Sequence, residues 1–140
     1  MRRLLSCLGL GLILNLSVGA AAQPLSALVK PAITGAWVNP ENTIQVETSI
    51  CGELLCGWVV AADAAAIRDA RDAGTVTLIG TRLLLDYRQA GPALWRGRLF
   101  LPDEGKSYVS FIQQLSTNAI KVSGCILGGW ICRSQVWHRA

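Results

Sequence analysis

The chain has a single histidine, His138, two residues from its end. A Ser–His–acid triad would have to use it, with Ser107, Ser110, Ser123 or Ser134 as nucleophile, and no nucleophile elbow surrounds any of these serines. Charge is scarce as well. Only 16% of residues are Asp, Glu, Lys or Arg, and the formal net charge is +4. So mild a balance gives no electrostatic footprint for nucleic acid. There is no fixed-period repeat, no low-complexity stretch and no interdomain linker. EGKSY (104–108) ends like a phosphate loop, but position 100 is Phe where the glycine cradle needs its first glycine. The Gly-Lys pair is a turn that opens a strand, and no cofactor is expected. Asp103 and Glu104 are adjacent in PDEGK. General acid–base chemistry needs carboxyls set across a cleft, so a solvated turn is the simpler reading.

What is present begins with an export signature. In MRRLLSCLGLGLILNLSVGAAAQ, two arginines precede an apolar run, and Ala20, Ala21 and Ala22 precede Gln23. That is the charged start, apolar middle and small-residue cleavage site of a secretory signal peptide, placed at residues 1–22. The run is short for a bilayer span and is broken by Asn15 and glycines. Cys7 precedes most of the run, whereas a lipidated cysteine would follow it, so Cys7 is assigned to the discarded segment. Losing Arg2 and Arg3 halves the formal charge of +4. The expected location is periplasmic or secreted, with no transmembrane segment after cleavage.

Four cysteines remain: Cys51, Cys56, Cys125 and Cys132. An even number in an exported chain argues for disulfides. In GCILGGWICR, a two-residue turn at Gly128–Gly129 would set Ile126 opposite Ile131 and Cys125 opposite Cys132. Directly opposed strand residues lie at a separation a disulfide can span. In SICGELLCGW, four residues separate Cys51 from Cys56, which fits a short bridged loop. Two local bridges, Cys51–Cys56 and Cys125–Cys132, are therefore expected. Structural zinc favours tighter cysteine pairs, and no metal is expected.

From Gly35 onward the chain breaks into short segments rich in β-branched and aromatic residues. TIQVETSI (43–50) alternates strictly, and LLCGWVVAA (54–62) reads as its hairpin partner. DAAAIRDARDAG (63–74) has a capping Asp63, three alanines and a terminating Gly74, the pattern of one short helix. Its few apolar residues suit a helix lying across a barrel end. Strand patterns resume at 76–80, 82–88, 94–101, 107–115, 118–127 and 130–139, separated by turn residues. With the stretch at 36–38 the count is about eight or nine, as in a closed antiparallel barrel. The expected fold is mainly β: a small antiparallel barrel of about eight strands, lipocalin-like or related, with one short α-helix as lid or plug. The expected organisation is a signal peptide at 1–22, a loose segment at 23–34 and one β domain at 35–140.

Several stretches together resemble a known family: GAWVNP (35–40), ELLCGWVV (53–60), LIGTRLL (78–84), LWRGRLFLPDEGKSY (94–108) and IKVSGCILGGWICRSQVWHR (120–139). The chain resembles the bacterial exported family known as domain of unknown function 2147. The resemblance implies an exported domain, predominantly antiparallel β, and brings no established activity. Where that family carries a polar, proline-containing stretch, this chain has the alanine-rich 61–73.

Arg82, Arg88, Arg96, Arg98 and Arg133 lie within strand patterns, three of them near tryptophans. Guanidinium and indole faces together could form an anion or glycan surface, but outward-facing barrel residues explain them more simply. The tryptophans could line a pocket or fill the core, since barrels of about eight strands do either. Candidate ligand or interaction residues are Trp37, Trp58, Trp95, Arg96, Tyr108, Trp130, Gln135 and Trp137. The leading expectation is a non-catalytic periplasmic module that binds a small ligand or an envelope macromolecule. The first alternative is an inhibitor or envelope-interaction protein acting through the bridged loops. An enzyme with a carboxylate pair in the barrel mouth ranks last.

Overall fold

The computed structural model describes residues 32–140; the signal-peptide assignment and residues 23–31 lie outside the described residues. Eight strands run in antiparallel order and close on themselves: β1 (Gly35–Val38), β2 (Ile44–Cys51), β3 (Leu54–Ala62), β4 (Arg82–Gly91), β5 (Leu94–Leu101), β6 (Lys106–Gln114), β7 (Ala119–Ile126) and β8 (Ile131–Arg139). Each strand pairs with its sequence neighbours, and β1 pairs with β8. Closure removes the free edges that an open sheet of these strands would expose.

The stretch 76–80 is not a ninth strand. Gly74 and Gly80 both adopt positive φ, and between them the chain turns back toward the barrel, burying Leu78 and leaving Val76 and Ile79 exposed. The Gly80 N–H donates to the Val59 carbonyl, and Thr81 turns back on Leu78. The apolar content of 76–80 imitates a strand, but apart from that Gly80–Val59 bond the segment forms no ladder with a neighbouring strand. The expected loose segment also ends earlier than position 34. Ile33 is fully buried, and its carbonyl accepts from the Trp37 indole at 3.0 Å and from the Thr48 hydroxyl at 2.7 Å.

The helix α1 spans Ala64–Asp72, and the Asp63 side chain accepts from the Ala66 N–H at 2.7 Å. That bond satisfies one of the free donors of the first turn. α1 joins β3 to β4 and contributes Ala70, which is buried, and Ile67 to the core. Because neighbouring strands are antiparallel, α1 shares one end of the barrel with the β1–β2, β5–β6 and β7–β8 connections. The β2–β3, β4–β5 and β6–β7 turns occupy the opposite end.

That opposite end is closed by packing. Trp37 is fully buried and donates to Thr48 Oγ1 at 3.1 Å as well as to Ile33. The Arg139 guanidinium carbon lies 3.9 Å from the centre of the Trp37 ring. Its nitrogens donate to the carbonyls of Thr34 at 2.7 Å, Ala32 at 2.5 Å and Thr117 at 2.8 Å. Farther along the lumen the Tyr87 ring lies against Gly97. A Cβ at Gly97 would come within 2.6 Å of that ring, so a glycine is required there for the ring to cross β5. The register of β4 and β5 shifts between Leu85 and Arg88, where Asp86 takes a positive φ. The resulting bulge turns Tyr87 inward.

Two disulfides are present among the described residues. Cys51–Cys56 closes the β2–β3 turn at the packed end, and Cys125–Cys132 braces the β7–β8 hairpin at the helix end. In β7 and β8 Ile126 faces Ile131 and Cys125 faces Cys132. The turn differs from a two-residue one. It is a short 3-10 turn over Leu127–Gly129 in which Leu127, Gly128 and Gly129 all have positive φ. The loop is longer by two residues, but both are added symmetrically, so the register is unchanged. Among the described residues no helix is long and apolar enough to cross a membrane.

Candidate functional site

At the helix end the lumen is open and forms a cavity of about 760 Å³. This lies within the range of small-molecule sites. Strand alternation decides what it shows. On β8, Ile131, Arg133, Gln135 and Trp137 point inward, while Cys132, Ser134, Val136 and His138 take the outer face. Their order along the strand runs from rim to floor. Trp137 is the floor, and Val122, Leu99, Leu83 and Leu78, the last from the α1–β4 connection, complete the buried apolar lining. Arg133 stands above the floor, and Gly124 sits directly opposite in the register, so no β7 side chain crowds the guanidinium. The rim carries Glu41 from the β1–β2 turn, Asp69 from α1, and Asp103 and Glu104 from the β5–β6 turn.

Arg133 is the one cation among the described lining residues, and its guanidinium makes no ion pair or hydrogen bond with a described side chain. Gln135 is held: the Trp137 indole donates to its Oε1 at 3.0 Å. An indole N–H only donates, so the amide oxygen must face it and the amide NH₂ is left to other partners. At the rim the Tyr108 hydroxyl donates to the Glu104 carboxylate. That bond, with the negative charge of Glu104 beside it, holds the phenol above its usual pKa. Deeper, the Tyr87 hydroxyl donates to Ser110 Oγ at 2.6 Å, and burial pushes the Tyr87 phenol well up.

The eight residues singled out in the sequence scatter. Tyr108, Gln135 and Trp137 line the cavity. Trp37 plugs the packed end. Trp95 faces a separate cavity of about 170 Å³ near that end, with Ile33, Leu55 and Tyr87. Trp58 lies on the outer face, its ring 5.4 Å from the Arg82 guanidinium carbon. Arg96 is exposed on the outside of β5, opposite Arg88. Trp130 is 89% exposed at the hairpin tip beside Leu127, which is 69% exposed. Arg133 was grouped with the outward arginines and instead faces the lumen. It shares the parity of Ile131 and Trp137, but Trp130 and Val136 on the other parity leave the sequence without a signal that separates it from Arg96 and Arg98.

The family model described as "Uncharacterized protein conserved in bacteria (DUF2147)" matches residues 35–139. The chain belongs to this family. The match runs from the first residue of β1 to the last of β8, so the family unit is the barrel itself. Among solved structures the chain is similar to "Protein HP1028 from the human pathogen Helicobacter pylori belongs to the lipocalin family". The identity is 15% and the TM-score 0.61, with 76% of this chain and 82% of that chain covered. At that identity the likeness concerns the fold, a lipocalin-type barrel. No curated protein matches.

Proposed function

We propose that this protein is an exported, non-catalytic carrier or sensor that binds one small amphipathic molecule in the mouth of its barrel. The observation that carries the reading is the division of the lumen: the Trp37 end is closed by buried side chains, and the α1 end keeps an open cavity with an apolar lining and one uncompensated guanidinium. Tyr108, Gln135 and Trp137, with Arg133, are the proposed contacts. The lipocalin-type fold supports it, since barrels of this size can hold a single ligand. The charged-apolar-small start of the sequence and the two disulfides support export to an oxidising compartment such as the periplasm.

The test is native mass spectrometry of protein recovered from the exporting cell, paired with Gly124→Leu. A Cβ at Gly124 meets only Leu99 Cδ2, at an ordinary 3.6 Å, so leucine there should fill the lumen without breaking the strand. The expected result is a small molecule retained by the wild type and lost by the folded variant. Wild-type protein that carries nothing and binds no apolar reporter would refute the reading.

A second reading rests on the hairpin tip. Leu127 and Trp130 project from a loop already braced by Cys125–Cys132, which lowers the ordering cost of docking on a partner. Leu127→Ser with Trp130→Ser would abolish a partner interaction and leave small-molecule binding intact.

A further inference from the structure

The layering of polar groups in the cavity specifies a headgroup. Along β8 the wall passes from Trp137 to the Gln135 amide and then to the Arg133 guanidinium, with apolar Val122 opposite Gln135 and Leu99 beside Gly124 opposite Arg133, and the carboxylates lie on α1 and the turns of the helix end. Gln135 and Arg133 are neighbours on one face of β8, and both offer donors: the amide oxygen is taken by Trp137, and a guanidinium has no acceptor. Two donors at successive inward positions of β8, one of them charged, form a receptor for an anionic group. A purely anionic amphiphile would then have to lie beneath Glu41, Asp69, Asp103 and Glu104. A ligand with a cation just beyond its anion turns that repulsion into attraction.

We propose that the barrel takes a single-chain zwitterionic amphiphile, of the phosphocholine or phosphoethanolamine type, tail inward. Its chain lies on the apolar lining, its phosphate is held by Arg133 and the Gln135 amide, and its cationic group meets the carboxylate rim. The inference rests on the ligand-binding reading and adds the order of charges along the ligand.

Isothermal titration of the purified protein, below micelle-forming concentrations, tests it with five probes. Dodecylphosphocholine places chain, anion and cation in the required order. Dodecyl sulfate has only the anion, dodecyltrimethylammonium only the cation, dodecyl maltoside neither, and phosphocholine has no chain. Dodecylphosphocholine is expected to bind most tightly, and phosphocholine alone not measurably. Arg133→Gln should weaken dodecylphosphocholine about tenfold or more, the scale of one hydrogen bond to a charged group, and leave dodecyl maltoside unchanged. Asp69→Asn with Asp103→Asn should weaken dodecylphosphocholine about two- to threefold, as exposed charges do, and strengthen dodecyl sulfate. Arg96→Gln, on the outer face, should change nothing. Equal affinities for all four chain-bearing probes would overturn the headgroup assignment and leave the carrier reading standing. Tighter binding of dodecyl sulfate than of dodecylphosphocholine would overturn the role of the rim. No binding by any probe would overturn both.

Discussion

The Tyr87–Ser110 pair offers a sharp energetic test. Both residues are fully buried, and the phenol donates to the serine oxygen at 2.6 Å. Tyr87→Phe deletes the donor and leaves the buried Ser110 hydroxyl without that partner. Ser110→Ala leaves the phenol hydroxyl in the same position. Each single change should cost about 1–3 kcal/mol, mostly the desolvation of the abandoned group. The double variant removes both polar groups at once, so it should cost less than the sum of the two by about 1 kcal/mol or more. Urea unfolding, with fluorescence as the probe, gives all four stabilities. The same pair predicts an alkaline limit. Burial raises the Tyr87 phenol in the folded state above its unfolded value of about 10. The stabilisation is complete below that value and is lost as pH rises through it toward the folded pKa. Wild-type stability should therefore fall above about pH 10, and that part of the fall should vanish in Tyr87→Phe. Strictly additive single variants, or identical pH profiles for wild type and Tyr87→Phe, would refute the reasoning.

Other perturbations have equally definite outcomes. Gly97→Ala puts a methyl within 2.6 Å of the Tyr87 ring and 2.7 Å of the Leu85 carbonyl, and should lower stability by about 1–3 kcal/mol or more, read from the shift in the urea midpoint. Replacing Cys125 and Cys132 together by serine opens a short loop and should cost about 2 kcal/mol by the same assay. Non-reducing peptide mapping of the wild type should recover the Cys51–Cys56 and Cys125–Cys132 linked peptides, and a peptide linking Cys51 to Cys125 would contradict the hairpin register.

Much of the architecture was legible because local chemistry and global fold agree. Turn residues separate nearly every strand from the next, and in a meander each strand needs only its sequence neighbour. The Gly128–Gly129 pair gave the β7–β8 register although the turn itself is longer, since the pairing of Cys125 with Cys132 depends on symmetry about the loop and not on its length. The interior was harder to read. WICRSQVWHR is apolar on both faces, Trp130 and Val136 on one and Ile131 and Trp137 on the other, so alternation alone does not say which face meets the lumen. That ambiguity hid Arg133. The tryptophans were ambiguous for a different reason. An indole serves as a plug at Trp37, as a cavity floor at Trp137 and as an exposed tip at Trp130, and composition does not distinguish these settings. The lumen cavity depends on what the other strands leave unfilled, a property of seven neighbours at once.

The seam between β1 and β8 has a consequence for how the chain reaches this state. Every other pairing joins adjacent strands and closes through a turn or, at β3–β4, through the helix. The seam joins the two ends of the barrel, with only Trp37–Arg139 and Val38–His138 in register, and Arg139 reaches carbonyls 105 and 107 residues away. Loop-closure entropy grows slowly with length, but it must be met before so distant a contact gives any return. The seven local pairings shorten that search by assembling the curved sheet first, and Arg139 then latches it. On this account the last strand pair to form is also the first to separate. Opening there leaves an eight-stranded sheet with its seven other pairings intact and two free edges facing each other, so native-state hydrogen exchange would begin at β1 and the end of β8 and spread inward from both sides.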